Sequence, residues 1–228
     1  MRAVIMGGTS GIGLATAERL MADGVEVTVT GRDPVKLADV KDRVTAAEQV
    51  DGTNADEVTA FLERMGEFEH LVLAFSGGSV GFGPLRDMPL DRIREAFERK
   101  LFGYLFAIQH AKVTETITMV SAASARAAMP GTIAGATVNG AIERMVPPLA
   151  VELAPVRVNA VSAGLIDTPW WSFLDDEQRA AQYASFAENL PTKRVGQAHE
   201  VADAIRFLTT ATYVTGQILP VDGGATVG

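Results

Sequence analysis

The seven residues Gly7-Gly8-Thr9-Ser10-Gly11-Ile12-Gly13 constrain the fold of this chain more than any other stretch. They follow a short apolar run of strand character, residues 2–6, and lead straight into a helical period over residues 12–22 that Gly24 is placed to stop. Glycines at such a junction let the backbone turn tightly, while the free N–H groups and dipole of the new helix attract negative charge. Strand, glycine turn and helix in that order open a βαβ unit, and the turn is where such a unit receives a pyrophosphate.

The same alternation continues to the end of the chain. Strands are expected at residues 25–30, 46–50, 70–75, 116–121, 156–161 and 217–221, separated by helical stretches such as residues 89–111. Seven strands with interleaved crossover helices give the α/β class: one doubly wound, seven-stranded parallel sheet with helices on both faces. With 228 residues and no linker, repeat or low-complexity tract, the expectation is a single domain over residues 1–228. Residues 167–192 depart from the rhythm. They leave a strand through Thr168-Pro169-Trp170-Trp171 and continue as a charged helical stretch with Tyr183 and Phe186. An insertion after a strand's carboxyl end reads either as a substrate lid or as a surface helical hairpin with its tryptophans packed.

Composition narrows the partners. A formal net charge of −8, without clustered Lys and Arg, points away from nucleic acid, and no apolar run is long enough to span a bilayer. The absence of cysteine removes disulfides and thiolate chemistry and leaves a reducing cytoplasm as the expected setting. His70, His110 and His199 show no metal-ligand spacing, so no metal site is expected. The partner expected is a small-molecule substrate.

The second strand ends in Thr30-Gly31-Arg32-Asp33. A carboxylate there accepts from the 2′-hydroxyl of NAD, whereas a guanidinium pairs with the extra phosphate of NADP, so Arg32 favours NADP(H) over NAD(H). The alternative is that Arg32 only caps the turn and Asp33 is the ribose ligand.

The glycine spacing Gly7, Gly11, Gly13 resembles the Thr-Gly-x-x-x-Gly-x-Gly turn of the short-chain dehydrogenase/reductase family, with Met6 where that family has threonine. The resemblance runs along nearly the whole chain and implies a Rossmann-type fold. Asp51 matches the family's acidic residue at the adenine amino group, although an aspartate before Gly52 also suits a simple turn. Ala74-Phe75-Ser76-Gly77 occupies the Asn-Asn-Ala-Gly position. Residues 157–164, with Ala163 in place of proline, and Ile166-Asp167-Thr168 resemble the segment along the nicotinamide. Tyr213-Val214-Thr215-Gly216-Gln217 and Val221-Asp222-Gly223-Gly224 are similar to the carboxyl-terminal signature. By this correspondence the cofactor set is Gly7, Thr9, Ser10, Gly11, Ile12, Arg32, Asp51, Gly52, Ala74, Gly77, Asn139, Gly164, Ile166 and Thr168.

The resemblance also implies a reaction: hydride moves between C4 of a nicotinamide and a carbonyl or alcohol carbon while a tyrosine, helped by a lysine, moves the proton. A serine polarises the substrate oxygen and an asparagine orders the lysine through water. Aligned without a gap from Ser121 to Arg144, on Pro130 and Gly140-Ala141-Ile142, the lysine position holds Asn139 and the tyrosine position Gly135. Ala122 stands at the serine position, between Ser121 and the nearby Ser124, and Lys100 stands at the asparagine position. No tyrosine occurs in residues 111–155, so no shift of register restores one.

Two consequences are expected. Gly135 leaves a void beside the nicotinamide, open to substrate or ordered water. Lys100, partly buried, has a lowered pKa and serves as acid, base or carboxylate anchor, unless it is a solvated helical lysine paired with Glu95 or Glu98. The candidate catalytic residues are therefore Lys100, Asn139 and Ser121. Tyr104, one turn beyond Lys100, is either a further hydroxyl or a buried core tyrosine. Three functions remain open: a reductase with a substitute proton donor, a non-redox cyclase, isomerase or dehydratase, and an NADP(H)-responsive binding protein. The resemblance further implies a homodimer or homotetramer paired through the long helices, residues 89–111 and 132–153, the second of which Pro147-Pro148 is expected to interrupt and kink.

Overall fold

The computed structural model describes residues 1–227. Its central sheet has seven strands: β1 (Arg2–Met6), β2 (Glu26–Gly31), β3 (Ala46–Gln49), β4 (Glu67–Leu73), β5 (Lys112–Ala122), β6 (Arg157–Ala163) and β9 (Ile218–Val221). They lie in the order β3-β2-β1-β4-β5-β6-β9, and every neighbouring pair is parallel. The helices are α1 (Gly11–Ala22), α2 (Pro34–Val40), α3 (Ala55–Met65), α4 (Leu90–Ala96), α5 (Gly103–His110), α6 (Ile133–Glu152), α7 (Asp176–Asn189) and α8 (Ala198–Thr210). The expected doubly wound α/β architecture is what forms.

Alternation along β1 shows why both faces are covered. Val4 and Met6 belong to one apolar cluster, with Phe61 of α3, Tyr104 of α5 and Ile142 of α6. Ala3 and Ile5 belong to the other, with Leu20 of α1 and Ile205 of α8. A strand buried on both faces needs apolar residues at every position, the near-continuous pattern that marked these segments in the sequence.

Three departures from expectation stand out. A second sheet pairs β7 (Ile166–Asp167) with β8 (Gly196–Gln197), tying the stem of the 167–192 insertion to the start of α8. The segment Phe97–Phe102 between α4 and α5 is π-helical, a conformation common at functional sites, and it carries Lys100. Finally, α6 is not interrupted: it runs through Pro147 and Pro148 as one helix. Each proline's fixed φ is itself helical, so the backbone stays helical there although the pair removes two N–H donors from the ladder.

Strand order reverses at β1, whose neighbours β2 and β4 lead to opposite edges. The crevice beyond the carboxyl ends of such strands is where open α/β sheets bind ligands.

Candidate functional site

A cavity of about 670 Å³ occupies that crevice. Its lining includes every residue of the sequence-derived set: Gly7, Thr9, Ser10, Gly11, Ile12, Arg32, Asp51, Gly52, Ala74, Gly77, Ser121, Lys100, Asn139, Gly164, Ile166 and Thr168.

The glycine turn is built for close approach. Gly7 has φ +86°, and a Cβ there would lie 2.5 Å from the Phe75 backbone nitrogen. A Cβ on Gly13 would lie 2.1 Å from the Gly7 carbonyl oxygen, so the helix start packs directly on the turn. Ser10, the N-cap of α1, makes no side-chain cap, and the first turn carries no acidic residue. By contrast α2, α3 and α7 are capped by Asp33, Asn54 and Asp175. The helix dipole of α1 therefore faces the cavity uncompensated, and a diphosphate fits that donor set.

At the edge beyond β2, Asp33 caps its own helix, its Oδ1 accepting from the Val35 and Lys36 amides at 2.9 and 3.4 Å, and it too borders the cavity. Among the described residues neither Arg32 nor Lys36 donates a side-chain hydrogen bond or forms an ion pair, and both line the cavity. Lys36 escaped the sequence reading, although its place one turn after Arg32 was a usable signal. Asp51 Oδ1 accepts from the Thr53 amide and hydroxyl at 2.9 and 2.8 Å, the turn role, while the residue also borders the cavity. Phe75 forms the wall behind the turn. Its ring stands edge-on to Tyr104 at 4.8 Å and so close to Gly52 and Gly103 that a Cβ on either would touch it.

The inner end holds a hydrogen-bonded row. Lys100 is 9% exposed, and its Nζ donates to Asn139 Oδ1 at 2.7 Å. Asn139 Nδ2 in turn donates to Ser124 Oγ at 3.1 Å. Burial pushes the Lys100 ammonium down from its usual 10.5 to about 8, with the Glu143 carboxylate pulling the other way. Lys100 is thus not a solvated surface lysine, and Glu95 pairs instead with Arg99. Tyr104 is a core residue: it is fully buried, its hydroxyl lies 3.1 Å from the Phe75 carbonyl and 3.2 Å from that of Val120, and burial holds its pKa well above the usual value.

Ser121 does not offer its hydroxyl to the cavity. It donates to Glu143 Oε1 at 2.8 Å, and Arg126 Nε donates to Glu143 Oε2 at 2.9 Å. Glu143 was not singled out in the sequence, although it lies one turn after Asn139 on the same helix. The void expected at Gly135 is also modified, because the Phe82 ring lies 3.7 Å from where a Cβ on Gly135 would stand. Nothing local in the sequence signals that approach, since Phe82 sits on the loop between β4 and α4.

Residues of the 167–192 segment form part of the cavity wall. Thr168 Cβ lies 3.2 Å from the position of a Cβ on Gly11, and Trp170, Trp171 and Phe186 line the cavity. Trp171 Nε1 donates to the Ile166 carbonyl at 3.0 Å, and Tyr183 donates to Asp167 Oδ1 at 3.0 Å, so the segment is tied at its stem. Among the described residues no group of three His, Asp or Glu side chains is arranged to hold a metal, and no helix is long and apolar enough to cross a membrane.

The family profile described as enoyl-(acyl carrier protein) reductase matches residues 7–226. The chain belongs to the short-chain dehydrogenase/reductase family of oxidoreductases. It is 30% identical over 250 residues to glucose 1-dehydrogenase of Gluconobacter oxydans, covering 99% of this chain and 92% of that one. It is 32% identical over 244 residues to a 3-oxoacyl-(acyl-carrier-protein) reductase of Mycobacterium tuberculosis, covering 99% and 92%. A small-chain dehydrogenase solved in complex with NADPH superposes with a TM-score of 0.88 at 30% identity, over 100% of this chain and 99% of that one. The ligand-free aldohexose dehydrogenase of Thermoplasma acidophilum gives 0.89 at 26% identity, over 100% and 94%.

Proposed function

We propose that the protein is an NADP(H)-dependent oxidoreductase acting on a small organic carbonyl or alcohol, with Lys100 in place of a tyrosine handling the proton. The observation that carries this reading is the continuity of one cavity from the uncapped start of α1 to the Lys100–Asn139–Ser124 row. When bound, the dinucleotide supplies a hydride donor or acceptor at C4 of its nicotinamide.

The chain's own groups divide the work. Gly7, Thr9, Ser10, Gly11 and Ile12 hold the diphosphate through the turn and helix start. Arg32, joined by Lys36, meets the 2′-phosphate, which is the reason for favouring NADP(H) over NAD(H). Asp51 and Gly52 border the adenine, Ala74 and Gly77 its ribose, and Gly164, Ile166 and Thr168 the nicotinamide. Asn139 spends one amide N–H on Ser124 and keeps the second for the nicotinamide ribose. The segment 167–192 acts as the lid that excludes water from the site.

With a pKa of about 8, Lys100 is largely protonated at neutral pH but titrates close enough to give or take a proton. One of its three N–H groups is used by Asn139, leaving others for a substrate oxygen. Ser121 acts through Glu143, which it helps hold near Lys100.

The test is NADPH oxidation with a panel of carbonyl compounds, comparing the native chain with Lys100→Met. Turnover should fall by about 10² or more, the usual contribution of a positioned acid, while NADPH affinity stays within a few-fold. Tight NADPH binding without turnover on any carbonyl would overturn the redox reading in favour of a non-redox enzyme or a binding protein on the same scaffold.

A further inference from the structure

The inner end of the cavity has one unusual wall. Gly135 presents no side chain, and the nearest atoms to its missing Cβ belong to the Phe82 ring, at 3.7 Å. The loop that delivers Phe82 is fixed on both sides. Gly81, at φ +82°, packs so tightly that a Cβ there would lie 2.7 Å from Ala134 Cβ, and the Gly83 amide donates to the Gly131 carbonyl at 2.9 Å. The ring itself stays 45% exposed. Trp170 stands against it, with centroids 5.8 Å apart and planes at 63°. Two rings meeting edge to face leave a corner in which a third ring can stack.

Most polar side chains around this corner are already engaged, although Ser124 Oγ, which accepts from Asn139, keeps its own hydroxyl proton. Thr132 donates to the Met129 carbonyl at 2.7 Å, Ser121 donates to Glu143 at 2.8 Å, and Asn139 serves both Lys100 and Ser124. A substrate rich in hydroxyls would have to break these bonds or leave its own groups unpaired. Lys100 retains N–H groups for one oxygen. The corner therefore offers an apolar, ring-shaped site whose free polar contacts are confined to Lys100 and the adjoining Ser124 hydroxyl.

We infer that this corner is a subsite for a flat aromatic secondary alcohol or its ketone, its ring lodged against Phe82 and Trp170 over Gly135 and its oxygen on Lys100. The inference rests on the oxidoreductase reading and adds the substrate class. It also separates this chain from its sugar-oxidising relatives. In the oxidative direction the hydroxyl proton goes to Lys100 Nζ in its neutral amine form. The carbinol C–H bond breaks, its hydrogen leaves with both electrons for C4 of NADP⁺, and the C–O bond becomes the ketone carbonyl.

The experiment is calorimetric titration of the NADP⁺-loaded protein with 1-phenylethanol, 2-octanol and D-glucose, run beside NADP⁺ reduction assays with the same alcohols. The aromatic alcohol should bind about tenfold or more tightly than 2-octanol, and D-glucose should give no heat. Phe82→Ala should weaken 1-phenylethanol about tenfold, and Phe82→Leu, which keeps apolar bulk without a ring, should lose most of the same preference. That binding order without NADP⁺ reduction supports the subsite and overturns the oxidoreductase reading. NADP⁺ reduction by D-glucose with no heat from 1-phenylethanol does the reverse. Equal or tighter binding of 2-octanol, or no effect of either Phe82 substitution, overturns the aromatic subsite.

Discussion

Replacing Lys100 by methionine tests the central feature of the site without any need for a substrate. Methionine matches the length and flexibility of the lysine stem but carries no charge. In the folded protein burial brings the ammonium from 10.5 down to about 8, whereas the unfolded chain keeps the ordinary value. Between those two values the unfolded chain holds a proton that the folded chain has released, so this group's contribution to stability rises with pH. At pH 7 the buried charge costs about 3 kcal/mol, and by pH 10 most of that is recovered. The substitution also strips Asn139 Oδ1 of its donor, at a cost of about 1–3 kcal/mol that does not depend on pH. Urea unfolding of both proteins, followed by tryptophan fluorescence at pH 7 and pH 10, should show native stability gaining on the variant by about 2–3 kcal/mol as pH rises. Other groups that titrate in alkali are common to both proteins and cancel in the difference. A gap that stays constant to within about 0.5 kcal/mol would refute the buried ammonium.

Other substitutions probe the rest of the site. Gly7→Ala places a Cβ 2.5 Å from the Phe75 nitrogen at a positive φ, so it should lower stability by about 1–3 kcal/mol and abolish dinucleotide binding measured by NADPH fluorescence. Arg32→Ala should raise the Kd for NADPH about tenfold to a hundredfold, the equivalent of one or two charge-assisted hydrogen bonds, while barely changing that for NADH; Lys36→Ala should do so more weakly. Gly135→Tyr should not create a tyrosine-based enzyme. A Cβ there would be in ordinary contact with the Phe82 ring at 3.7 Å, but Asn139 carries no charge to favour the new phenolate, so NADPH oxidation with carbonyl compounds should stay within a few-fold of the native chain.

Local pattern carried the architecture. Strands buried on both faces must be apolar at successive positions, and a helix must open immediately after a glycine turn, so β1, α1 and the approximate places of the remaining strands along the chain were legible in the sequence. The residues bordering the crevice were legible too, because in a doubly wound sheet they fall at the carboxyl ends of strands whatever the side chains. Edges were less legible: β4 begins at Glu67 and β5 at Lys112, earlier than expected, since polar residues extend a strand once neighbours supply the ladder.

What the chain alone could not decide was how distant segments meet at the inner end of the cavity. Lys100 and Asn139 are 39 residues apart, and whether that lysine was solvated or buried depended on a π-helical segment that no propensity marks. Phe82 reaches Gly135 from a loop 53 residues away, and Glu143 collects Ser121 and Arg126 from a strand end and the turn beyond it. Sequence fixes which groups exist and the local conformation they prefer. Desolvation, pKa and the shape of a pocket depend on long-range packing, so only the tertiary structure decides them.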